Sequence, residues 1–285
     1  MSKNNLIKSP LNYTGGKYKL LPQILPLFPE NIDTFVDMFC GGCNVGVNVE
    51  ANRIIFNDFM PQLIELFQKW KEEGVDKTIE YIEDRVKEFN LSKTNQEGFL
   101  KIREEYNKNR DIRDLFVIIA HSFNHQIRFN GKGEYNMPFG KDRSEWNGTM
   151  KKNLISFITV LLTKKCYFTN KSFEKLKIDS LKENDFVYAD PPYLITCASY
   201  NENGGWNEEQ EYKLLEILDK CNERNIKFAL SNVLENKGKK NTILIDWAEK
   251  NNYNIHHLNM TYSNCNYHAL DKSSGTTDEV LITNY

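Results

Sequence analysis

Apolar positions along this chain follow two rhythms. Short apolar runs bounded by turn residues predict strands at 32–39, 53–58, 165–169, 185–190, 227–232, 253–258 and 278–284. Longer stretches with apolar residues three and four apart predict helices at 17–25, 61–73, 78–89, 97–107, 113–124, 151–163 and 241–249. A further short helix is expected to end near Ala51, and another begins after Asn207, which with Gln210 forms an N-cap pattern. Strands alternating with helices indicate an α/β fold. The stretch 61–153 is too long for a simple crossover and reads as an inserted, mainly helical domain, leaving 1–60 and 154–285 as the other domain.

Composition adds limits. The chain has 285 residues, 40% hydrophobic and 27% charged, an ordinary globular profile able to bury a large core. No apolar run approaches the roughly 20 residues of a membrane span. Met1 to Asn5 lead into no signal-peptide apolar region, so a cytoplasmic location is expected. Net charge is −2, which announces no nucleic-acid partner, but between His121 and Lys165 eight basic residues face three acidic ones. A solvated basic face and a nucleic-acid face both satisfy that excess. Of the cysteines, Cys40 and Cys43 alone have ligand spacing. No second pair completes a zinc site, so no metal is expected and packing in a tight loop is the simpler role. His256 and His257 sit in strand context, where packing is the simpler role too.

Three stretches carry candidate chemistry. In the first, Gly15-Gly16 permits close backbone approach, and Lys17 follows at a helix start. The strand 32–39 then runs into Cys40-Gly41-Gly42-Cys43-Asn44-Val45-Gly46, and the next strand ends in Asp58, 21 residues after Asp37. This is a βαβ nucleotide-binding unit, in which an acid at that distance can hold ribose hydroxyls. Nicotinamide-binding proteins share the signal, although no full G-x-G-x-x-G is present.

In the second, 121–141, Arg, Asn and Gln interleave with aromatics and glycines. Arginine can pair bidentately with guanine and asparagine or glutamine with adenine, while lysines suit phosphates. In the third, an apolar strand stops at Asp190-Pro191-Pro192-Tyr193. Consecutive prolines stiffen the exit, holding a carboxylate and an aromatic ring at the carboxyl end of a strand, where open α/β sheets bind ligands. Such a carboxylate, with a nearby carbonyl, can accept both hydrogens of an exocyclic amino group and sharpen its nitrogen for attack on an electrophile. The ring can stack on the base, worth roughly 1–3 kcal/mol. The loop 194–206, with Tyr200, Gly204 and Gly205, is expected to close over a substrate.

Taken in order, these motifs resemble the Dam-type DNA adenine methyltransferases, the D12 class in the α arrangement. The resemblance spans nearly the whole chain: Tyr13-Thr14-Gly15-Gly16-Lys17, Phe39-Cys40-Gly41-Gly42, Asp58, Arg128-Phe129-Asn130, 133–140, Asp190-Pro191-Pro192-Tyr193, Leu230-Ser231-Asn232 and Asp278-Glu279-Val280-Leu281. It implies a Rossmann-like, mostly parallel methyltransferase sheet with an antiparallel final strand and an inserted target-recognition domain. It further implies an S-adenosylmethionine site at Tyr13, Gly15, Lys17, Asp37, Phe39, Gly41, Asp58 and Asp190. Tyr13 stands where the family commonly has tryptophan, and Cys43 where it often has a third glycine. Catalysis falls to Asp190, Pro191, Pro192 and Tyr193, acting on N6 of an adenine flipped from duplex DNA. Contacts to that DNA fall to Asn124, Arg128, Asn130, Lys132, Asn136 and Lys141, with Arg128 on a guanine, GATC as the leading site and a cognate restriction endonuclease as a companion. Three readings compete: an RNA adenine acceptor, a cytosine N4 acceptor, and a catalytically silent nucleic-acid-binding module. Cytosine enzymes more often carry serine at the Asp190 position, and cofactor titration separates the silent module.

Overall fold

The computed structural model describes residues 6–196, 205–259 and 277–285. Most of the expected substrate-covering loop, with Tyr200 and Gly204, lies outside them. Strands β1 (Ile32–Asp37), β2 (Ala51–Asn57), β3 (Cys166–Thr169), β4 (Phe186–Ala189), β5 (Lys227–Asn236), β7 (Asn254–Leu258) and β8 (Thr277–Thr283) join in the order β3-β2-β1-β4-β5-β8-β7, with the two-residue β6 (Lys239–Lys240) on β5. The first five are parallel. The closing strand β8 runs antiparallel between β5 and β7. This is the mostly parallel Rossmann-like sheet that the sequence leads one to expect.

Successive side chains alternate between two covered faces, so burial is continuous along β4 and nearly so along β1 and β5. Phe35, Phe56, Phe186, Tyr188 and Leu281 face one cluster, which includes Phe67, Trp70, Phe116 and Phe157 of the helices α2 (Pro61–Glu88), α4 (Ile112–His121) and α5 (Gly148–Thr163). Val36, Val187, Phe228, Leu230, Val280 and Ile282 face the other, under α6 (Glu208–Glu223) and α7 (Thr242–Lys250). Buried Phe67 joins helices to sheet, its ring centroid 5.6 Å from Phe157, 5.7 Å from Trp70 and 6.0 Å from Phe168. One buried cluster therefore crosses residue 61, and α5 runs through the expected limit at 153.

Local chemistry explains where element limits differ from expectation. The helix foreseen at 17–25 is split into a turn at Lys17–Lys19, α1 (Leu21–Ile24) and a turn at Leu25–Leu27. Pro22 and Pro26 lack the N–H groups that a continuous helix needs. The helix foreseen after the glycine turn is only the single turn Gly46–Asn48. The helices foreseen at 61–73 and 78–89 are present as the two arms of α2, separated at Gly74, whose φ of +74 and ψ of −171 are not helical. Helix α4 ends at His121, because Ser122 turns extended at φ −82 and ψ 162, and Asn124 and His125 then adopt positive φ. Asn207 and Gln210 do form a reciprocal capping box on α6.

Replacing Phe67 with alanine is expected to cost about 3–5 kcal/mol of stability, since the cavity opens between three rings. Chemical denaturation monitored by far-UV circular dichroism measures it.

Candidate active site

Strand order reverses at β1, which lies between β2 and β4, so the loops after β1 and β4 diverge and leave a crevice. The Met38 amide donates to the Tyr188 carbonyl at 2.9 Å, keeping the two strand ends level. Asp37 ends β1 and Asp190 follows β4, so pairing alone brings both carboxyls to one end of the sheet.

The glycine turn is bound to these strands by carboxylates and an amide. Asp37 Oδ2 accepts from the Gly46 amide at 3.2 Å. A side chain at Gly46 would strike the Phe56 ring and that carboxylate. Asp58 Oδ2 accepts from the Gly41 amide at 2.9 Å, and its Oδ1 from the Met60 amide at 2.9 Å. The buried Asn57 side chain donates to the carbonyls of Met38 and Lys171. Gly41 and Cys43 have φ of +46 and +60. The Tyr13 ring packs against Gly41 so closely that a Cβ there would lie 2.9 Å from it. Phe39 is half-buried, against Phe173 at 5.4 Å and Trp206 at 5.6 Å. Cys40 and Cys43 are buried, which pushes the thiol pKa of Cys43 up to about 11 and leaves both as packing groups.

Lys17, 5% exposed, reaches into the crevice. Its Nζ lies 2.9 Å from Asp190 Oδ1 and 2.9 Å from the Gly15 carbonyl, which Gly15 presents from φ +79. The Tyr193 hydroxyl donates to the same Asp190 oxygen at 3.0 Å, and the Lys17 ammonium stands 4.9 Å from the centre of the Tyr193 ring. Pro191 is buried and Pro192 exposed. The foreseen residues Gly15, Lys17, Asp190 and Tyr193 thus meet in one constellation, and Asp37 feels the charge of Asp190 and Asp58.

Burial raises the pKa of Asp190, against the opposing pull of Lys17, and burial raises that of Asp58. Asp37 is raised well above 3.8 by burial and by Asp190, with the Gly46 amide opposing. Negative charge at the crevice is under-compensated by the protein's own groups.

Other residues of this site escaped the sequence reading. Glu279 on β8 is 2% exposed, yet its carboxylate lies 3.3 Å from the Tyr193 hydroxyl and 3.6 Å from Lys17 Nζ. The signal was an acid beginning an apolar run, Glu279-Val280-Leu281-Ile282. Glu211, fully buried on α6, accepts from the Trp206 indole, which it fixes beside Phe39, and from Asn241 at 3.1 Å. Tyr188 and Ser231 share a hydrogen bond of 2.8 Å beneath the site.

The basic stretch presents a folded hairpin-like surface. Isolated bridges join Ser122 to Phe139 and Phe129 to Tyr135. The Arg128 guanidinium is exposed and held in plane by Asn136, through Oδ1 at 2.8 Å and the carbonyl at 3.1 Å. Lys132 and Lys141 are exposed, as is Asn124, whose carbonyl accepts from Asn12 at 2.8 Å. Asn130 spends its side chain on the turn, accepting from the amides of Lys132 and Glu134 and donating to the Glu134 carboxylate. The basic excess is also smaller than the sequence suggests, because Lys151 pairs with Glu83 and Lys164 with Glu50. Among the described residues no group of His, Cys, Asp and Glu side chains is suited to a metal, and no helix is long and apolar enough to cross a membrane.

An acid whose pKa is raised by folding binds its proton more tightly when folded, so stability falls as pH rises from 3.8 toward the folded value. Asp37→Asn should flatten that fall. Urea midpoints measured across a pH series are expected to favour the variant increasingly as pH rises above 3.8.

The family model for D12 class N6 adenine-specific DNA methyltransferases matches residues 13–264. The chain is 50% identical over 286 residues to the Type II methyltransferase M.FokI of Planomicrobium okeanokoites, covering 99% of this chain and 43% of that protein. It is 48% identical over 288 residues to the modification methylase StsI of Streptococcus sanguinis, covering 100% of this chain and 44% of that protein. It is 30% identical over 244 residues to the DNA adenine methylase of Escherichia coli K12, covering 81% of this chain and 82% of that protein. The chain therefore spans less than half the length of the first two relatives. With a match over most of its length, this chain belongs to the D12 class of N6 adenine-specific DNA methyltransferases.

Proposed function

We propose that this chain binds S-adenosylmethionine beside the glycine turn and methylates N6 of an adenine flipped out of duplex DNA. The observation that carries the reading is the Asp190 carboxylate, held by Lys17 and Tyr193 at the crevice that Asp37 and Asp58 also border. S-adenosylmethionine supplies an electrophilic methyl group on a cationic sulfur, and the under-compensated carboxylates suit that charge. Tyr13, Gly15, Phe39 and Gly41 shape the cofactor side of the crevice, with Lys17 between cofactor and base. Asp190 and the Pro191 carbonyl accept the two amino hydrogens of adenine, drawing the nitrogen lone pair out of conjugation. Pro192 stiffens the turn, and the Tyr193 ring, fixed at its hydroxyl, offers a face to the base. Flipping costs a few kcal/mol.

The helical insert, residues 61–153, acts in this reading as the target-recognition unit. Arg128, pre-set by Asn136, reads a guanine edge, Lys132 and Lys141 contact phosphates, Asn124 lies beside the base reader, and Asn130 contributes by holding the turn. GATC is the first duplex to test on the strength of Arg128. The relative at 50% identity bears the name of a Type II methyltransferase and the one at 48% that of a modification methylase, which supports a role beside a cognate restriction endonuclease, in the cytoplasm where the DNA lies.

Incubating plasmid DNA with the purified protein and mapping modified bases by single-molecule sequencing tests the activity and reads its site. N6-methyladenine at one recurring sequence is the expected result, and modified cytosine or unmodified DNA rejects the proposal. Asp190→Ala should reduce transfer from tritiated cofactor to background while duplex binding in an anisotropy titration stays near wild type. Arg128→Ala is expected to lose roughly 1–3 kcal/mol of discrimination at one base pair, seen as a flattened rate profile across duplexes substituted at that pair.

A further inference from the structure

Glu279 occupies a place in β8 where an apolar residue would serve packing, opposite Val233 of β5. Its Oε1 lies 3.6 Å from Lys17 Nζ and 3.3 Å from the Tyr193 hydroxyl. These are the two donors that meet Asp190 Oδ1 at 2.9 and 3.0 Å. One carboxylate oxygen, Oδ1, thus carries both donors. Each donor withdraws charge from that oxygen and weakens it as an acceptor for an amino hydrogen.

We propose that Glu279 is a positioning residue for methyl transfer: it takes over the Tyr193 hydroxyl and shares the Lys17 ammonium when the adenine amino group engages Asp190. The inference rests on the reading of the site given above. In the exchange the Tyr193 hydroxyl, which lies within reach of both carboxylates, gives up its hydrogen bond to Asp190 and keeps the one to Glu279. No proton changes owner. Because the hydroxyl lies 3.0 Å from one acceptor and 3.3 Å from the other, the ring keeps an anchor throughout.

The test compares wild type, Glu279→Gln and Glu279→Ala in the full chain. Single-turnover transfer from tritiated S-adenosylmethionine to the mapped duplex is measured at saturating cofactor, with cofactor affinity by calorimetry, duplex affinity by anisotropy, and thermal unfolding. Glu279→Ala is expected to slow transfer on the order of 100-fold, as misplacement at a reacting centre does. Glu279→Gln keeps a neutral acceptor for Tyr193 and should recover part of that loss, remaining on the order of tenfold slow. Duplex affinity should not change. A purely structural role would lower the melting temperature and the active fraction but leave the rate per folded molecule at the wild-type value, which overturns the inference. A defect that vanishes at saturating cofactor also overturns it. If the alanine variant does not fold, the glutamine variant decides alone, and a wild-type rate in it is the overturning result. An inactive wild type overturns the reading of the site, and this inference with it. An active wild type beside an equally active Glu279→Gln overturns this inference only.

Discussion

Lys17 sets one buried ammonium against the half-buried Asp190 carboxylate at 2.9 Å, the buried Glu279 carboxylate at 3.6 Å, and the Tyr193 ring. Charges this far from water persist only when paired, and removing one partner of a buried pair typically costs ~3–5 kcal/mol. Lys17 comes from a loop near the start of the chain, Asp190 from the end of a central strand, and Glu279 from the closing strand. The pair therefore draws three distant parts of the chain together at the crevice. The charge balance is incomplete by design of the local sequence, because Asp37 and Asp58 stand beside this set without a lysine of their own among the described residues. Their carboxyl oxygens are spent instead on backbone amides of the glycine turn.

The sheet makes that arrangement rigid. Two buried faces leave each strand no freedom to slip, since a shift of one residue would exchange Val36 and Val187 with Phe35 and Phe186. With register fixed, Asp37 and Asp190 cannot move relative to one another without unpairing β1 from β4. The hydrogen bond between Tyr188 and Ser231 extends the same constraint to β5. Helices α2, α4 and α5 share the core beneath one face, so the basic surface that follows α4 is carried on packed structure.

Hydrophobic rhythm made most of the fold legible. Every strand of the sheet except the two-residue β6 was visible as an apolar run, and the capping box of α6 was visible as Asn207 and Gln210. Where limits differed, the cause was local backbone geometry that a periodicity count overlooks: Pro22 and Pro26 in one helix, the extended Ser122 at the end of another. Cys43 is instructive. Its φ of +60 favours glycine, and a Cβ-bearing residue in that conformation costs roughly 1–2 kcal/mol.

The sequence by itself determined the α/β class and the identity of the chemical groups, because alternation, glycine turns and a proline-stiffened acid are local properties. It named Asp190, Tyr193 and Lys17 separately, and the family resemblance joined them. Only the tertiary structure decided that Glu279 faces the same two donors as Asp190, that Asn130 is spent on its own turn, and that Lys151 and Lys164 are committed to helix and loop partners. The reason is physical: a residue's type and spacing fix what it can bond to, but the partner it actually meets is set by which strands lie side by side, and that is a property of the closed sheet.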